Sequence, residues 1–261
     1  MYSFDYERPS GVNDAASTLG EDDKLLAGGQ TLIPTLKLRL AQVGKLVDLA
    51  GIDELKGISS NGSELSIGAM TTHVAVADSA EVKSSIPALS SLAAHIGDAQ
   101  VRNRGTIGGS VSNNDPAADY PSALVALGAT VHTSKRSISA EDFFVDLFET
   151  ALEEDEIVTK ISFPIPEQAA YAKFPNPASR YALVGVFVAK SAGGVKVAVT
   201  GAGPCVFRQS DMEAALDADF SAGAVSGIAT DASGLNTDIH ASAEYRSNLI
   251  SVMASRAVAA A

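Results

Sequence analysis

The chain has 261 residues, enough for one large domain or two small ones, and a hydrophobic share of 46% that is ample for packed cores. Its formal charge of −12, with no basic stripe to offset it, argues against a nucleic-acid partner. The single cysteine, Cys205, excludes an internal disulfide and an iron–sulfur cluster held by four cysteines of this chain.

The N-terminus and the longest apolar runs bear on where the protein works. The first residues, Met1 to Asp5, contain neither a basic segment nor an apolar segment of the kind found in signal peptides. No apolar run reaches the roughly 18 residues that a membrane-spanning helix needs. We therefore expect a cytoplasmic protein with no membrane span.

The first 55 residues have the pattern of a small α/β unit. A strand at Phe4–Tyr6 precedes a helix at Val12–Leu19, and Lys45–Leu49 forms a further strand. Between them, a short strand (Leu25–Ala27) enters Gly28-Gly29-Gln30-Thr31, and Leu32, Leu36 and Leu40 follow at helical spacing. A glycine turn between a strand and a helix start presents free N–H groups to an anion. The turn matches neither the Rossmann fingerprint nor the P-loop pattern.

Residues 56 to 166 suggest a second unit. Asn61-Gly62 predicts a hairpin turn, Thr72 a cap for a short helix, and Ile86–Ile96 an amphipathic helix. A structural role is favoured over a catalytic one for His73, His95 and His132. No two histidines share the spacing of metal ligands, so we expect no metal on this chain.

The densest group of special residues lies between Val101 and Asp119. Its core, Thr106-Ile107-Gly108-Gly109-Ser110, reads as a loop whose amides could hold phosphate oxygens, or as a plain turn-rich connection. We expect Gly28 and Gly108 to adopt positive φ and to let a ligand approach the backbone. Asp119 is placed to start a helix that ends at Gly128.

The remainder of the chain predicts a separate C-terminal unit. The acidic run Glu153–Glu156 favours a solvated turn over acid–base chemistry, and Pro164–Gln168 marks the boundary. Beyond it, two apolar strands, Tyr181–Lys190 and Val195–Thr200, form a hairpin around a glycine turn. Ser210 has the capping-box spacing before a short helix, and a helix over 242–260 ends the chain.

The two glycine motifs carry a resemblance to a known family. Ala27-Gly28-Gly29-Gln30-Thr31 followed by Leu32-Ile33-Pro34, and Thr106–Ser110 followed by Asn114–Asp119, resemble the paired flavin motifs of the medium subunits of molybdenum hydroxylases. This family includes carbon monoxide dehydrogenase and xanthine dehydrogenase. The similarity extends over nearly the whole chain, from Phe4-Asp5-Tyr6 to Ala243–Arg246.

The resemblance implies a fold. Such subunits have an α/β (α+β) fold, with a PCMH-type FAD-binding region of two α/β subdomains and a C-terminal domain with a three-stranded antiparallel sheet and helices. On this chain we expect FAD-binding subdomains at 1–55 and 56–166, and a C-terminal domain of the carbon monoxide dehydrogenase flavoprotein type at 167–261.

The resemblance also implies a cofactor, FAD, and the residues that bind it. Two positions depart from many relatives: Thr31 stands where they have serine, and Ser110 where they have asparagine. Asp119 matches an acidic position near the ribityl and flavin end. Tyr181 matches a tyrosine that sits against the isoalloxazine, although a strand aromatic in the core of the C-terminal sheet is the alternative. The expected cofactor-binding residues are Ala27, Gly28, Gly29, Gln30, Thr31, Thr106, Ile107, Gly108, Gly109, Ser110, Asp119, Lys173 and Tyr181.

The function implied is electron transfer within a larger oxidoreductase. By resemblance, a large partner subunit carries the molybdopterin cofactor, and a small partner carries two [2Fe–2S] clusters that deliver electrons to the FAD on this chain. The terminal acceptor could be NAD, quinone, oxygen or another carrier. A dimer of heterotrimers is expected, and no residue of this chain need be catalytic. Leu32–Leu40 and Phe143–Phe148 could contribute contact surface, with core burial the favoured use of both.

Two other functions are compatible with the residues. One is a self-sufficient FAD-dependent oxidase or reductase, which would turn over in isolation. The other is a non-catalytic flavin-binding or nucleotide-binding assembly module.

Overall fold

The structure is a computed structural model that describes all residues from Met1 to Ala261. Its first region is a parallel three-stranded sheet in the order β1-β3-β2, made of β1 (Asp5–Glu7), β2 (Lys24–Leu26) and β3 (Lys45–Asp48). Two helices connect these strands, α1 (Val12–Ser17) and α2 (Leu32–Lys37), and two 3-10 turns follow β3, Leu49–Gly51 and Asp53–Leu55. The turn between β2 and α2 contains the first glycine motif.

The second region is built on an antiparallel five-stranded sheet in the order β4-β5-β10-β6-β7. A separate two-stranded hairpin, β8–β9, stands beside it. The strands are β4 (Ile58–Ser60), β5 (Glu64–Gly68), β6 (Thr130–Thr133), β7 (Ser137–Ser139), β8 (Phe144–Asp146), β9 (Glu149–Thr150) and β10 (Val158–Pro164).

Seven helices belong to this second region. Thr72 caps the first of them by accepting from Ala75 N, and Gly128 ends the sixth in the left-handed conformation, both as predicted. The helices are α3 (His73–Asp78), α4 (Ala80–Ser85), α5 (Pro87–Ala94), α6 (Ala99–Arg104), α7 (Ile107–Asn113), α8 (Tyr120–Leu127) and α9 (Ala140–Phe143).

The third region is an antiparallel sheet in the order β11-β12-β13-β14, with helices on one face. Its strands are β11 (Gln168–Pro175), β12 (Ala182–Ser191), β13 (Gly194–Thr200) and β14 (Phe207–Arg208). Its helices are α10 (Ser210–Ala218), α11 (Ala222–Val225) and α12 (Ala243–Ala260), with a 3-10 turn at Ala232–Gly234. The expected count of three strands is wrong by one, because the chain returns after β13 and pairs two further residues with Ala198 and Val199.

Strand β12 explains how the third region joins the second. Successive residues of a strand point to opposite faces, so a strand buried on both faces reads as a continuous apolar run. Phe187 and Ala189 belong to the main core of the second region, whereas Val186 and Val188 belong to a separate core formed with α10 and α12. The third sheet therefore forms part of the second region's core.

We propose the ranges 1–55, 56–166 and 167–261 as the structural units, because each of the three main sheets falls within one of them. No helix is both long enough and apolar enough to cross a membrane.

Several local predictions need correction. Helix α2 ends at Lys37, because Arg39 takes a positive φ of 58° and the chain turns, which leaves Leu40 outside the helix. Ser210 does not cap α10, since Gln209 occupies the cap position without a side-chain bond. Strand β11 was not predicted, because its alanine-rich sequence has little strand propensity and its pairing with β12 is long-range.

Candidate functional site

A cavity of about 540 Å³ lies where the two glycine motifs meet. Its size is within the range of small-molecule and cofactor sites. Residues 150–158 form a further wall, and residues 179–181 of the third region complete it. Eleven of the thirteen predicted site residues line it: Ala27, Gly28, Gly29, Gln30, Thr31, Thr106, Gly108, Gly109, Ser110, Asp119 and Tyr181. Ile107 and Lys173 do not; Ile107 is fully buried in the core.

The first glycine motif offers a row of unused hydrogen-bond donors. The five successive backbone N–H groups from Gly28 to Leu32 have no acceptor within the protein. Gly29 makes this geometry possible by taking a φ of +70°, a conformation that side chains disfavour. Consecutive N–H groups at a helix start form a concavity suited to anionic oxygens.

Gly28 serves a different purpose from the one expected. Its φ is not positive, and a Cβ placed on it would overlap the Arg104 carbonyl and lie 2.7 Å from Gly105 Cα. Gly108 is also without positive φ, and its Cβ would overlap Ala69. Both glycines are therefore required by contact between protein segments, and the expectation that they adopt positive φ is wrong.

The second glycine motif is the start of helix α7 and is not a loop. Thr106 caps this helix by accepting from Gly109 N at 3.1 Å. The next amides are also engaged, because Ile107 N donates to Thr71 O and Gly108 N to Ala69 O, at 3.0 and 2.8 Å. Most amides of this motif are therefore engaged, and the row of five successive free amides belongs to the first motif.

Asp119 occupies the N-cap position of helix α8, as the sequence predicts, but its side chain makes no capping hydrogen bond. Its carboxylate turns towards the third region, where Lys173 Nζ lies 2.9 Å from Oδ1 and 3.0 Å from Oδ2. The Tyr171 hydroxyl also donates to Oδ1. Burial raises the pKa of the Asp119 carboxyl, and the ammonium of Lys173 and the hydroxyl of Tyr171 act in the opposite direction.

Tyr181 lies at the rim of the cavity in the loop before β12. Its side chain is 48% exposed, so the alternative role as a core aromatic of the C-terminal sheet is wrong. Asn176 braces the loop, because its Oδ1 accepts from Ala178 N and Ser179 N. Arg180, next to Tyr181, has a φ of 64° and also lines the cavity. Burial and nearby Asp115 raise the pKa of the Tyr181 hydroxyl, which is therefore protonated near neutral pH.

The acidic run 153–156 is more than a solvated turn. Glu156 is buried and accepts from Arg136 Nε and Nη2, both at 3.0 Å, and from Thr133 Oγ1 at 2.6 Å. The Arg136 guanidinium holds the pKa of the Glu156 carboxyl at about 2. Glu153 and Asp155 both pair with Lys135. These ion pairs shape the cavity wall, and none is arranged for acid–base chemistry.

His73 is a buried side chain at the back of the cavity. Burial and the charge of Arg102 lower the pKa of its imidazole to about 4, so the ring is neutral near pH 7. Its Nδ1 is buried without a hydrogen-bond partner. A Cβ on Gly105 would lie 2.5 Å from His73 Nε2, so this glycine lets the ring pack under the second motif.

The cavity lining also contains residues that were not among the predicted site residues, and these include His73, Asp115 and Arg180. Asp115 lies within the Asn114–Asp119 segment that follows the second motif, and Arg180 directly precedes Tyr181. Their position next to predicted site residues could therefore have identified both of them from the sequence. His73 carried no such signal, because a single histidine beside an apolar helix face is usually structural. The structure contains no group of three or more His, Cys, Asp or Glu side chains that could hold a metal.

The donor set fits a dinucleotide such as FAD. The row of free amides suits a diphosphate, the hydroxyl and amide side chains of Ser110, Ser112 and Asn113 suit a polar linker, and Tyr181 can lie against an aromatic ring.

Comparison with known proteins agrees with this reading. Residues 2–166 match the family model described as the FAD binding domain in molybdopterin dehydrogenase. The chain is 33% identical to the nicotine 6-hydroxylase medium subunit of Paenarthrobacter nicotinovorans, over 97% of this chain and 95% of that protein. It is 34% identical to the carbon monoxide dehydrogenase medium chain of Hydrogenophaga pseudoflava, over 99% and 96%.

A solved structure is similar along the whole length. The crystal structure of quinoline 2-oxidoreductase from Pseudomonas putida 86 contains a chain with a TM-score of 0.90 and 30% identity, covering 100% of this chain and 97% of that one.

Proposed function

We propose a function from the premise that this chain belongs to the family of FAD-binding medium subunits of molybdenum hydroxylases. It is the flavoprotein subunit of a molybdenum-dependent oxidoreductase. Its specific role is to hold FAD where electrons from the [2Fe–2S] clusters of a partner subunit reach it and leave for a terminal acceptor.

One observation carries the placement of FAD: the five successive free N–H groups from Gly28 to Leu32 at the cavity. These residues would hold the diphosphate, because an anion can accept from several of these amides at once. Gly109 and Ser110 would hold the polar linker of FAD, and Tyr181 would contact its flavin ring.

Bound FAD supplies the ability to take up electrons singly and release them in pairs, and the protein supplies position and electrostatics. Around it, the chain's own groups are held in defined protonation states. His73 is neutral and the Tyr181 hydroxyl is protonated, whereas Glu156 is ionised. None of these groups needs to act as an acid or base on an organic substrate.

The partners follow from the relatives, which are named as subunits or chains of multi-subunit enzymes. A small [2Fe–2S] subunit and a large molybdopterin subunit bind this chain, and two such heterotrimers pair. The two segments predicted as possible contact surface, Leu32–Leu40 and Phe143–Phe148, each contain buried and exposed side chains. Leu36 and Phe143 are buried, whereas Leu38, Leu40, Val145, Leu147 and Phe148 are exposed. The exposed side chains are the surface available to partners.

Co-expression of the chain with a small and a large partner subunit tests this function. We expect one yellow complex on size exclusion, whose visible flavin band is bleached by a substrate; carbon monoxide, nicotine and quinoline are the first probes, after the relatives. The isolated chain should bind FAD and leave it oxidised with the same probes. Full-rate reduction by the isolated chain would support a self-sufficient oxidase or reductase and contradict the relay.

A further inference from the structure

The two ring nitrogens of His73 face different surroundings. The residue is 4% exposed and lines the cavity. Its Nδ1 is sealed inside the protein without a hydrogen-bond partner. Nε2 also has no partner in the protein, but it is not sealed from solvent, so it is the ring nitrogen that a molecule in the cavity can reach. A hydrogen bond between this side chain and a ligand can therefore form only at Nε2.

The ring of His73 is held firmly in place. His73 is the first residue of α3, and its backbone N–H donates to Gly105 O at 2.9 Å. A β-bridge between Thr72 and Thr106 joins the same two segments. The ring packs against Tyr120, with 5.4 Å between the ring centroids and 46° between the ring planes. Nε2 is therefore fixed before any ligand binds, and a preorganised group loses little conformational entropy on binding.

Gly105 places Nε2 next to the first glycine motif. A Cβ on Gly105 would lie 2.5 Å from His73 Nε2, and a Cβ on Gly28 would lie 2.7 Å from Gly105 Cα. Gly105 thus contacts both the His73 ring and the first residue in the row of free amides. A single glycine separates Nε2 from that row, and all three residues line the same cavity.

The surroundings of the ring also determine where its proton lies. Burial and the charge of Arg102 lower the pKa of His73 to about 4, so near pH 7 the neutral ring carries one proton. At Nδ1 that proton would be a buried N–H without an acceptor, which is rare in proteins and costly. The proton therefore belongs on Nε2, where an oxygen atom of a ligand can accept it.

We propose that His73 is a ligand of FAD, and that its Nε2–H donates to an oxygen of the diphosphate that the free amides of the first motif would hold. This inference rests on the proposed function, because it requires FAD in the cavity. It gives a binding role to a histidine for which the sequence favoured a structural one. It also adds a side-chain donor from α3 to the backbone donors of residues 28–32.

Two substitutions of similar size separate Nε2 from Nδ1. The side-chain amide of glutamine reaches the position of Nε2, whereas that of asparagine reaches only the position of Nδ1. His73→Asn should weaken FAD binding by about tenfold, because hydrogen bonds to charged groups are among the stronger ones. His73→Gln should stay within about threefold of wild type, because it restores the donor. Flavin fluorescence titration of the full chain measures both affinities.

Tyr120→Phe is the matched control for these variants. It removes a hydroxyl from the side chain that packs on the His73 ring, and this hydroxyl has no hydrogen-bond partner. Tyr120 lies outside the cavity lining, so its variant should bind FAD as tightly as wild type. Equal FAD affinities of His73→Asn and His73→Gln would overturn the inference, because a purely structural histidine would not distinguish the two amide positions.

ADP locates the contact on the cofactor, because it carries the diphosphate without the flavin. His73→Asn should weaken ADP binding, measured by calorimetry, by the same factor as FAD binding. A loss with FAD and none with ADP would place the contact outside the diphosphate and overturn the inference.

Nuclear magnetic resonance of a chain labelled with ¹⁵N-histidine tests the inference with His73 intact, so it is decisive even if the His73 variants fail to fold. The chain has four histidines, and replacing the other three with glutamine leaves His73 as the only labelled ring. We expect one ring proton, on Nε2, and a shift of the Nε2 resonance when FAD or ADP is added. A proton on Nδ1, or an Nε2 resonance that FAD does not shift, would overturn the inference.

Failure of the proposed function has a separate signature. A wild-type chain that binds no FAD would contradict that function. FAD that binds to wild type and to His73→Asn with equal affinity would contradict only the role of His73.

Discussion

At the scale of single residues, the glycines of the two motifs are needed for two different reasons. One adopts a backbone conformation that side chains disfavour, and others lie too close to neighbouring segments to carry a side chain. Gly29 provides the positive φ at the row of free amides, whereas Gly28 lets the first motif lie against Arg104 and Gly105. The two motifs can meet across one cavity only because Gly28 carries no side chain. Binding of FAD should therefore be sensitive to a methyl group on Gly28 even though that group would point towards Arg104.

Gly28→Ala tests this dependence. The added methyl group would overlap the Arg104 carbonyl and push the two motifs apart, so we expect FAD affinity to fall by about tenfold or more, equivalent to at least ~1.4 kcal/mol. Titration followed by flavin fluorescence measures it. Gly193→Ala is the matched control, with no atom within 4 Å of the new methyl group. Unchanged affinity in Gly28→Ala would show that the contact between the motifs is dispensable.

Tyr181 provides a second residue-scale prediction. Because its ring is half-exposed at the rim and belongs to no core, Tyr181→Ala should leave the thermal unfolding temperature nearly unchanged. The flavin spectrum and midpoint potential should shift, with only a modest loss of FAD affinity. Tyr245→Ala, an exposed tyrosine on α12 far along the chain, is the control. If the Tyr181 variant keeps the wild-type spectrum and potential, this tyrosine does not contact the flavin.

At the scale of elements, the polar side chains between helices decide how the cavity walls are attached. Asn114, in the left-handed conformation at the end of α7, donates to Asp146 O and Glu149 O, both at 2.8 Å, and so holds the β8–β9 hairpin. Glu156 holds the following turn through Arg136. These polar contacts act together with apolar packing, since Phe144 lies in the main core and Leu152 packs against it.

Asn114→Ala should detach the hairpin. It removes two buried hydrogen bonds and places alanine at a φ of 41°, so we expect the free energy of unfolding to fall by about 2–3 kcal/mol. Urea denaturation measures this loss. Asn103→Ala, which removes one exposed helical contact, should change stability by only a few tenths of a kcal/mol. A loss no larger than that of the control would contradict the anchoring role.

Glu156 makes stability depend on acid. Its pKa is lowered from 4.5 to about 2 in the folded chain, so its contribution is fully present above pH 4.5 and is lost as pH falls towards 2. Because Arg136 is half-exposed, we expect that contribution to be on the order of 2 kcal/mol. Glu156→Gln should therefore be less stable than wild type at pH 7, with the difference shrinking steadily between pH 4.5 and pH 2. If the difference in the free energy of unfolding stayed constant from pH 4.5 to pH 2, ionisation of Glu156 would not be its cause.

At the scale of the whole molecule, the large apolar side chains left on the surface mark where partners can bind. The hairpin tip, which we define as Val145, Leu147 and Phe148, exposes each side chain by more than half and lies beside the cavity wall. Phe148 has a φ of 55°, an unusual conformation for an aromatic residue, and its N–H donates to Asn114 O. Strained residues persist where the surrounding structure holds them, often at functional surfaces.

Phe148→Ser should weaken assembly without affecting the flavin. Loss of one large apolar contact at an interface typically costs 1 kcal/mol or more, so we expect about fivefold or more weaker retention of the partner subunits on size exclusion. The FAD content of the isolated chain should be unchanged. Ile239→Ser, which alters a side chain 95% exposed in the third region, is the control. If the Phe148→Ser and Ile239→Ser variants retained the partner subunits equally well, the hairpin tip would not be part of the interface.

Much of this architecture is determined by the sequence itself. The hairpin turn at Asn61-Gly62, the caps at Thr72 and Gly128, and the hairpin of β12 and β13 depend on local backbone preferences and were confirmed. The glycine motifs indicated a diphosphate site for a similar reason, because close approach of the main chain to an anion needs particular residues. The identity of the cofactor, FAD, came from the resemblance of these motifs to those of a known family.

Tertiary structure alone decided which partner each special residue takes. Asp119 has the sequence of a helix cap, yet its carboxylate binds Lys173 from a strand 54 residues further on, and no local pattern encodes that pairing. Likewise the amides of Ile107 and Gly108 in the second motif are taken by Thr71 and Ala69, so the row of five successive free donors lies in the first motif. A buried polar group must find some partner, and which one it finds depends on how distant segments pack.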